Sequence, residues 1–236
     1  MTAQRIEAEL TAFSNPKRVA VMSGGYAPSR LRYVGASVPQ LRGVVRRMTA
    51  AMKDQSPDAV LSLADSLVRG RMAEARQVGW EVVAKRADAM ALLTTARIER
   101  LGRGNDNWAS VDGFSTYLAG PAWRLGYVRD ADVLRWARSR DKWWRRTALA
   151  STVALNVAAR GGRGDARRTL RVCACFAAER DPMLAKALSW ALRSLAPHDA
   201  RAVRAFVDTH RATLAPLVVR EVTTKLTTGT KHARKV

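Results

Sequence analysis

The residues best suited to chemistry in this chain are one carboxylate and a set of tryptophans. The run Asn107-Trp108-Ala109-Ser110-Val111-Asp112 places Trp108 four residues before Asp112, a spacing that puts both side chains on one face of a helix. An aromatic ring near a charge returns at Trp143-Trp144-Arg145-Arg146 and at Trp190-Ala191-Leu192-Arg193. A tryptophan face attracts a cation through its negative quadrupole, by about 0.5–2 kcal/mol. A carboxylate stabilises positive charge that develops beside it. Together they suit a reacting group that is already cationic or becomes so. As an isolated pair, Trp108 and Asp112 also fit a hydrophobic anchor and an acid near a helix amino terminus.

No other residue set competes for a catalytic role. His198, His210 and His232 stand apart in the sequence, and the familiar zinc, phosphate-loop and nucleophile-elbow motifs are absent. Cys173 and Cys175, two apart on a helix, point to different sides, which excludes an ordinary disulfide or a zinc site. No metal and no cofactor is expected, and a reducing cytoplasm is the expected compartment.

Charge indicates the partner. Lys and Arg outnumber Asp and Glu by 41 to 20, a formal net charge of +21. Such an excess repels itself in a compact state and is useful mainly against a polyanion. Nucleic acid is the first candidate, ahead of an anionic membrane surface. A membrane is not expected, because no window approaches the ~18 uninterrupted apolar residues of a spanning helix, no lipidation signature is present, and the amino terminus lacks a secretory pattern. Arginine dominates two clusters: five in residues 160–171 against one aspartate, and Arg135, Arg138, Arg140, Arg145 and Arg146 with Lys142. Its planar fork suits phosphate oxygens. A third cluster, Lys225 to Lys235, includes Lys231, Arg234 and Lys235.

The elements that must position these residues read as helices. Apolar residues recur at helical period almost throughout, and no stretch alternates as a strand would. Helices are expected near 4–13, 39–53, 57–69, 71–86, 87–102, 108–120, 130–139, 143–160, 164–179, 183–195, 199–213 and 216–227. The breaks carry Ser56-Pro57, Gly102-Arg103-Gly104, Gly120-Pro121, Gly161-Gly162-Arg163-Gly164, Asp181-Pro182 and Pro197. Residues 24–28 and 33–38 read as turns, and the glycines of 161–164 as a flexible loop. Trp80, Trp123 and Trp136 sit at core spacing. The later helices pair in blocks of about 30–40 residues, the size of helical-repeat units, although an irregular bundle fits the period equally well. One domain over 1–230 is expected, followed by a basic tail, 231–236.

On Trp108-x-x-x-Asp112, Trp143-x-x-Arg146 and Trp190-x-x-Arg193, together with the run from Tyr33 to Arg42, the sequence resembles the DNA alkylation repair family, the HEAT-like-repeat alkylpurine DNA glycosylases, as far as about Lys231. The resemblance implies an all-α superhelical stack of degenerate HEAT-like repeats with a concave basic face. It implies a monofunctional glycosylase of base excision repair, a hydrolase that cleaves the N-glycosidic bond of cationic N3- or N7-alkylated purines in duplex DNA with little base flipping. Asp112 then stands as the catalytic carboxylate, Trp108 and Trp190 as the aromatic pair at the lesion, and Arg146 as a backbone contact. Arg193, Arg145, Arg163, Arg167 and Arg168 complete the expected DNA-binding set. Trp144 departs from the family pattern in bulk. A purine that already carries positive charge needs no acid to leave, so one carboxylate suffices to stabilise an oxocarbenium-like sugar and aim a water. The competing reading is a non-catalytic helical-repeat DNA-binding protein. A protein-interaction scaffold explains the repeats but not the +21. A monomer is expected, nucleoid-associated when bound to DNA.

Overall fold

The computed structural model describes residues 2–231, which form helices joined by short turns, with no strand among them. The basic tail, His232, Arg234 and Lys235 included, lies outside the described residues except for Lys231. Packing divides the chain into two compact units, Met1–Leu118 and Ala119–Val236, a subdivision that the helical period does not reveal.

The first unit contains α1 (Ala3–Thr11), α2 (Pro16–Val21), α3 (Val38–Ala51), α4 (Pro57–Arg69), α5 (Ala73–Ala84), α6 (Ala87–Ala91), α7 (Thr95–Gly102) and α8 (Trp108–Phe114). Side-chain oxygens of Thr2, Asn15, Ser37, Ser56, Thr94 and Asn107 cap six of these helices, satisfying amide groups that the first turn leaves unpaired. Helices α4 and α5 form the main packed pair. Val60, Leu63, Ala64 and Leu67 of one and Val78, Trp80, Val82 and Val83 of the other are all buried, each large side chain contributing about 1.5–3 kcal/mol. The absence of a side chain at Gly79 permits this approach, since a Cβ there would lie 3.3 Å from the Ala64 Cα.

The second unit contains α9 (Gly120–Arg124), α10 (Asp130–Ala137), α11 (Lys142–Ser151), α12 (Val153–Asn156), α13 (Ala166–Ala174), α14 (Pro182–Leu195), α15 (Ala200–Thr209) and α16 (Pro216–Thr228). Helix α14 is its centre, packed against α11, α13 and α16, with Leu184, Leu188, Leu192 and Leu195 buried. Trp80 in the first unit and Trp123 and Trp136 in the second are core residues, each 1–2% exposed.

Four expectations are corrected. The stretch before Tyr26 is helical, because Pro16 and the Asn15 cap start α2, which widens into a π turn, Met22–Tyr26. Its Gly24-Gly25 reads as a turn in sequence, yet only Gly25 leaves helical geometry, at φ 139°. The expected helix 87–102 is two helices, divided where Thr94 turns its side chain to cap the second. The expected helix 108–120 gives way after Phe114 to a π turn, Ser115–Ala119, and Gly120-Pro121 opens α9 instead of ending a helix. Pro121 has no N–H and would clash with an α-helical carbonyl four residues back, a conflict that a widened turn relieves. The expected helix 143–160 breaks at Thr152, whose hydroxyl bonds the Leu149 carbonyl at 2.7 Å, a side-chain competition that interrupts the ladder.

The glycine-rich loop is tied down rather than loose. The N–H groups of Arg163 and Gly164 both donate to the Leu155 carbonyl at 3.1 Å, and Gly162 donates to Val157 at 3.1 Å. A Cβ at Gly162 would stand 2.6 Å from the Asn156 nitrogen and the Leu155 carbonyl carbon, so glycine serves close approach here.

Candidate functional site

In the first unit, Trp108 and Asp112 lie on one helix, α8, one turn apart as their spacing requires. Asn107 fixes its start, its Oδ1 accepting from Ser110 N at 3.0 Å and its Nδ2 donating to Ser110 Oγ at 3.1 Å. Asp112 is half-buried, and its carbonyl accepts the Thr116 hydroxyl at 2.8 Å, linking the carboxylate-bearing turn to the π turn that follows.

Trp108 is half-buried and its orientation is over-determined. The indole Nε1 donates to the Tyr26 carbonyl at 2.7 Å, and the Tyr26 ring meets the indole edge-to-face with centroids 5.0 Å apart, a favoured aromatic geometry. Its single N–H is therefore spent, and what Trp108 offers a ligand is its ring face. The segment behind Tyr26 is anchored by Asp106, which accepts the Ser29 hydroxyl and, at 2.7 Å, the Arg30 backbone N–H. Burial pushes the Asp106 carboxyl up, but the donors from Ser29, Arg30 and Asn107 outweigh it and hold it below the usual carboxylate range. Tyr33 gives its hydroxyl to the Ala27 carbonyl at 2.7 Å, and burial raises it to about 12. Tyr26 itself is 58% exposed.

In the second unit, Arg145 and Arg146 are carried by α11, and Trp190 and Arg193 by α14, against which α11 packs. Arg146 is only 5% exposed and donates to the Met183 carbonyl, joining the two helices. Arg145 pairs with Glu179 and lies over the Phe176 ring at 5.5 Å. The Glu179 carboxyl, pushed up by burial, is drawn below its ordinary range by the Asp181 and Arg180 amides and by Arg145. Trp190 is half-buried. Arg193, one turn on, donates from Nε to Ser189 Oγ at 3.1 Å, while Ser189 Oγ donates to Glu221 at 2.7 Å. Glu221 lies 3.5 Å from Arg193 and 3.4 Å from Lys231. Burial lowers the Arg193 pKa against the opposing pull of Glu221. Glu221 is lowered too, since Ser189, Lys231 and Arg193 together overcome burial. Trp144, the bulky departure from the family pattern, packs on Trp136 with centroids 5.3 Å apart.

The arginines about the glycine loop divide sharply. Arg168 donates from Nε to Asp165 at 2.6 Å and from Nη1 to the Trp123 carbonyl at 3.1 Å, with its guanidinium 5.2 Å from the Trp123 ring centroid. That set of bonds joins α13 to α9. Burial pushes the Asp165 carboxyl up, but the Arg168 backbone and side-chain bonds and the charges of Arg168 and Arg167 hold it below its usual range. Arg163 is exposed, and Arg167 has 76% of its side chain in solvent, 3.8 Å from Asp130. Sequence reasoning missed Tyr26, Asp106 and Glu221, because each acquires its role through partners tens of residues away.

The chain matches the family model for DNA alkylation repair enzymes over residues 6–226. No curated protein matches it. A solved structure of a predicted DNA alkylation repair enzyme from Enterococcus faecalis, 15% identical, aligns with a TM-score of 0.68 over 91% of this chain and 97% of that one. At that identity the likeness shows the shared all-α, helical-repeat fold.

Proposed function

The chain belongs to the family of DNA alkylation repair enzymes, and from that premise we propose that it is a monofunctional DNA glycosylase acting on cationic N3- and N7-alkylated purines in duplex DNA. The observation that carries this reading is α8, where a half-buried carboxylate, Asp112, follows by one turn a tryptophan whose N–H is already bonded to Tyr26. Pure phosphate binding requires neither group.

In the proposed reaction, water adds to C1′ of the lesion nucleotide as the N-glycosidic bond breaks. The bonding pair leaves with the purine, which passes from cation to neutral base, so no acid is required for departure. Asp112 stabilises the positive sugar, accepts the water's hydrogen bond, and takes up the proton that the water loses as its oxygen bonds C1′, releasing it afterwards to solvent. The faces of Trp108 and Tyr26 attract the cationic nucleotide, and Trp190 is proposed as a further aromatic contact. Of the expected DNA-binding arginines, Arg163 and Arg167 are exposed and are proposed to reach phosphate, while Arg146 and Arg193 act by holding α14 and the turn that bears Trp190. Uncharged lesions, which need leaving-group activation, are expected to be poor substrates.

The test is release of free base from duplex DNA containing N7-methylguanine, compared with Asp112→Asn. Release by the native chain, lost in the variant with DNA binding retained, supports the reading. Salt-sensitive binding without release from this or from N3-methyladenine DNA would favour a non-catalytic DNA-binding protein.

A further inference from the structure

The first unit carries a second charged feature that α8 does not use. A cleft of about 570 Å³ opens where the end of α4, the start of α5 and the end of α7 meet the segment at Leu31. Six arginines line it, Arg30, Arg69, Arg71, Arg76, Arg100 and Arg103, against two carboxylates, Asp65 and Asp106. Both carboxylates are committed, Asp65 to Arg100 at 2.7 Å and Asp106 to Arg30 at 3.4 Å. Arg69 bonds the Ser66 hydroxyl at 2.8 Å and Arg71 the Arg30 carbonyl at 3.0 Å. Among the described residues neither of these, nor Arg76 or Arg103, forms an ion pair.

Arg76 is the decisive member. It is 4% exposed, yet its hydrogen bonds go to neutral oxygens: the Val68 carbonyl at 3.2 Å, Asn105 Oδ1 at 3.1 Å and the Arg103 carbonyl. A buried guanidinium without a carboxylate in contact is costly, and burial lowers its pKa to about 10 against the pull of Asp106. Beside it the Asn105 Nδ2 is buried without a hydrogen-bond partner. The positive charge of Arg69, Arg71, Arg76 and Arg103 thus converges on the cleft with neutral oxygens as acceptors and no carboxylate in an ion pair with it. An oxyanion completes such a set, and the arginine fork fits phosphate oxygens in particular.

We infer that this cleft is a phosphate-binding site additional to the Trp108–Asp112 helix, formed by Arg71, Arg76 and Arg103 with Arg69 at its rim. The phosphate is either a diester of the DNA backbone or a free phosphate group. The inference does not depend on glycosidic chemistry, and its test reads binding alone.

The test compares the full chain with Arg71→Gln/Arg103→Gln, two exposed positions that leave Arg76 in place. Arg5→Gln/Arg42→Gln, with the same charge loss outside the cleft, is the control. Thermal unfolding in inorganic phosphate is measured against chloride at equal ionic strength, beside the salt dependence of binding to an unmodified duplex. A backbone diester predicts that the slope of log K against log salt falls by about 1–2 in the cleft variant and less in the control. A free phosphate predicts that phosphate raises the Tm of the native chain and control but not of the cleft variant, with the slope matching the control's. If phosphate shifts all three chains equally and the two variants lose slope equally, the cleft is not a phosphate site. Arg76→Met, if it folds, should lose the same response.

Discussion

In the second unit Arg145, Arg168 and Arg193 are committed to carboxylates, whereas in the first unit four arginines share a cleft without forming an ion pair there. Arg145 faces Glu179, Arg168 faces Asp165 and Arg193 faces Glu221. Arg69, Arg71, Arg76 and Arg103 have only neutral oxygens or solvent. Each of these arginines counts alike toward the formal charge of +21. The lesson is that a charge count locates a polyanion binder but not its binding residues. A guanidinium paired with a carboxylate and partly buried acts on stability, and one whose charge meets no carboxylate is available to an anionic ligand.

The largest effect expected lies on the carboxylate of the first unit. Asp112→Asn should lower base release at least a hundredfold, about 2.7–4 kcal/mol of transition-state stabilisation, with duplex affinity nearly unchanged. Single-turnover release measured beside a binding isotherm decides it, and a similar fall in affinity would reassign Asp112 to structure.

Next is the paired network of the second unit. Glu221→Gln should destabilise the chain by about 1–3 kcal/mol near neutral pH, because Arg193 loses a charged partner while remaining largely buried. The folded pKa of Glu221 lies below its ordinary value. Its contribution is therefore fully present above the ordinary carboxylate range and is lost as pH falls through the lower, folded value. Urea unfolding from pH 7 to pH 3 should show a shallower acid loss in the variant than in the native chain.

The contrast is sharpest within one helix. Arg168→Met should cost about 1–3 kcal/mol of stability and leave the salt slope of DNA binding alone. Arg167→Gln should change stability by no more than about 0.5 kcal/mol and reduce that slope by about 1. The reverse pattern would break the distinction between committed and available arginines. At the first unit's site the effect of Trp108→Phe should be far smaller than that of Asp112→Asn, since it keeps a ring face and loses only the bond to the Tyr26 carbonyl. A loss of about 1 kcal/mol, read as a several-fold slower release, separates the orienting bond from the aromatic face.

Much of the fold was legible along the chain because helices are governed by local rules. The signals Ser56-Pro57 and Asp181-Pro182 mark starts that the structure reproduces, with the proline in the first turn and the preceding side chain as cap. The misses come where a local signal has two readings. Gly24-Gly25 serves a π turn as well as a loop, and Gly120-Pro121 opens a helix as well as closing one. At the candidate site, the shared face of Trp108 and Asp112 follows from spacing alone, since α8 spans both.

The sequence by itself determined an all-α chain, the pairing of an aromatic face with a carboxylate on one helix, and a charge that calls for a polyanion. These depend on helical periodicity and on composition, both of which are local or additive. Only the tertiary structure decided that Tyr26 holds Trp108, that Asp106 anchors the Tyr26 segment, and which arginines are spent on Glu179, Asp165 and Glu221. Most of those contacts join residues tens of positions apart, and burial sets their energies, so no window of sequence carries them.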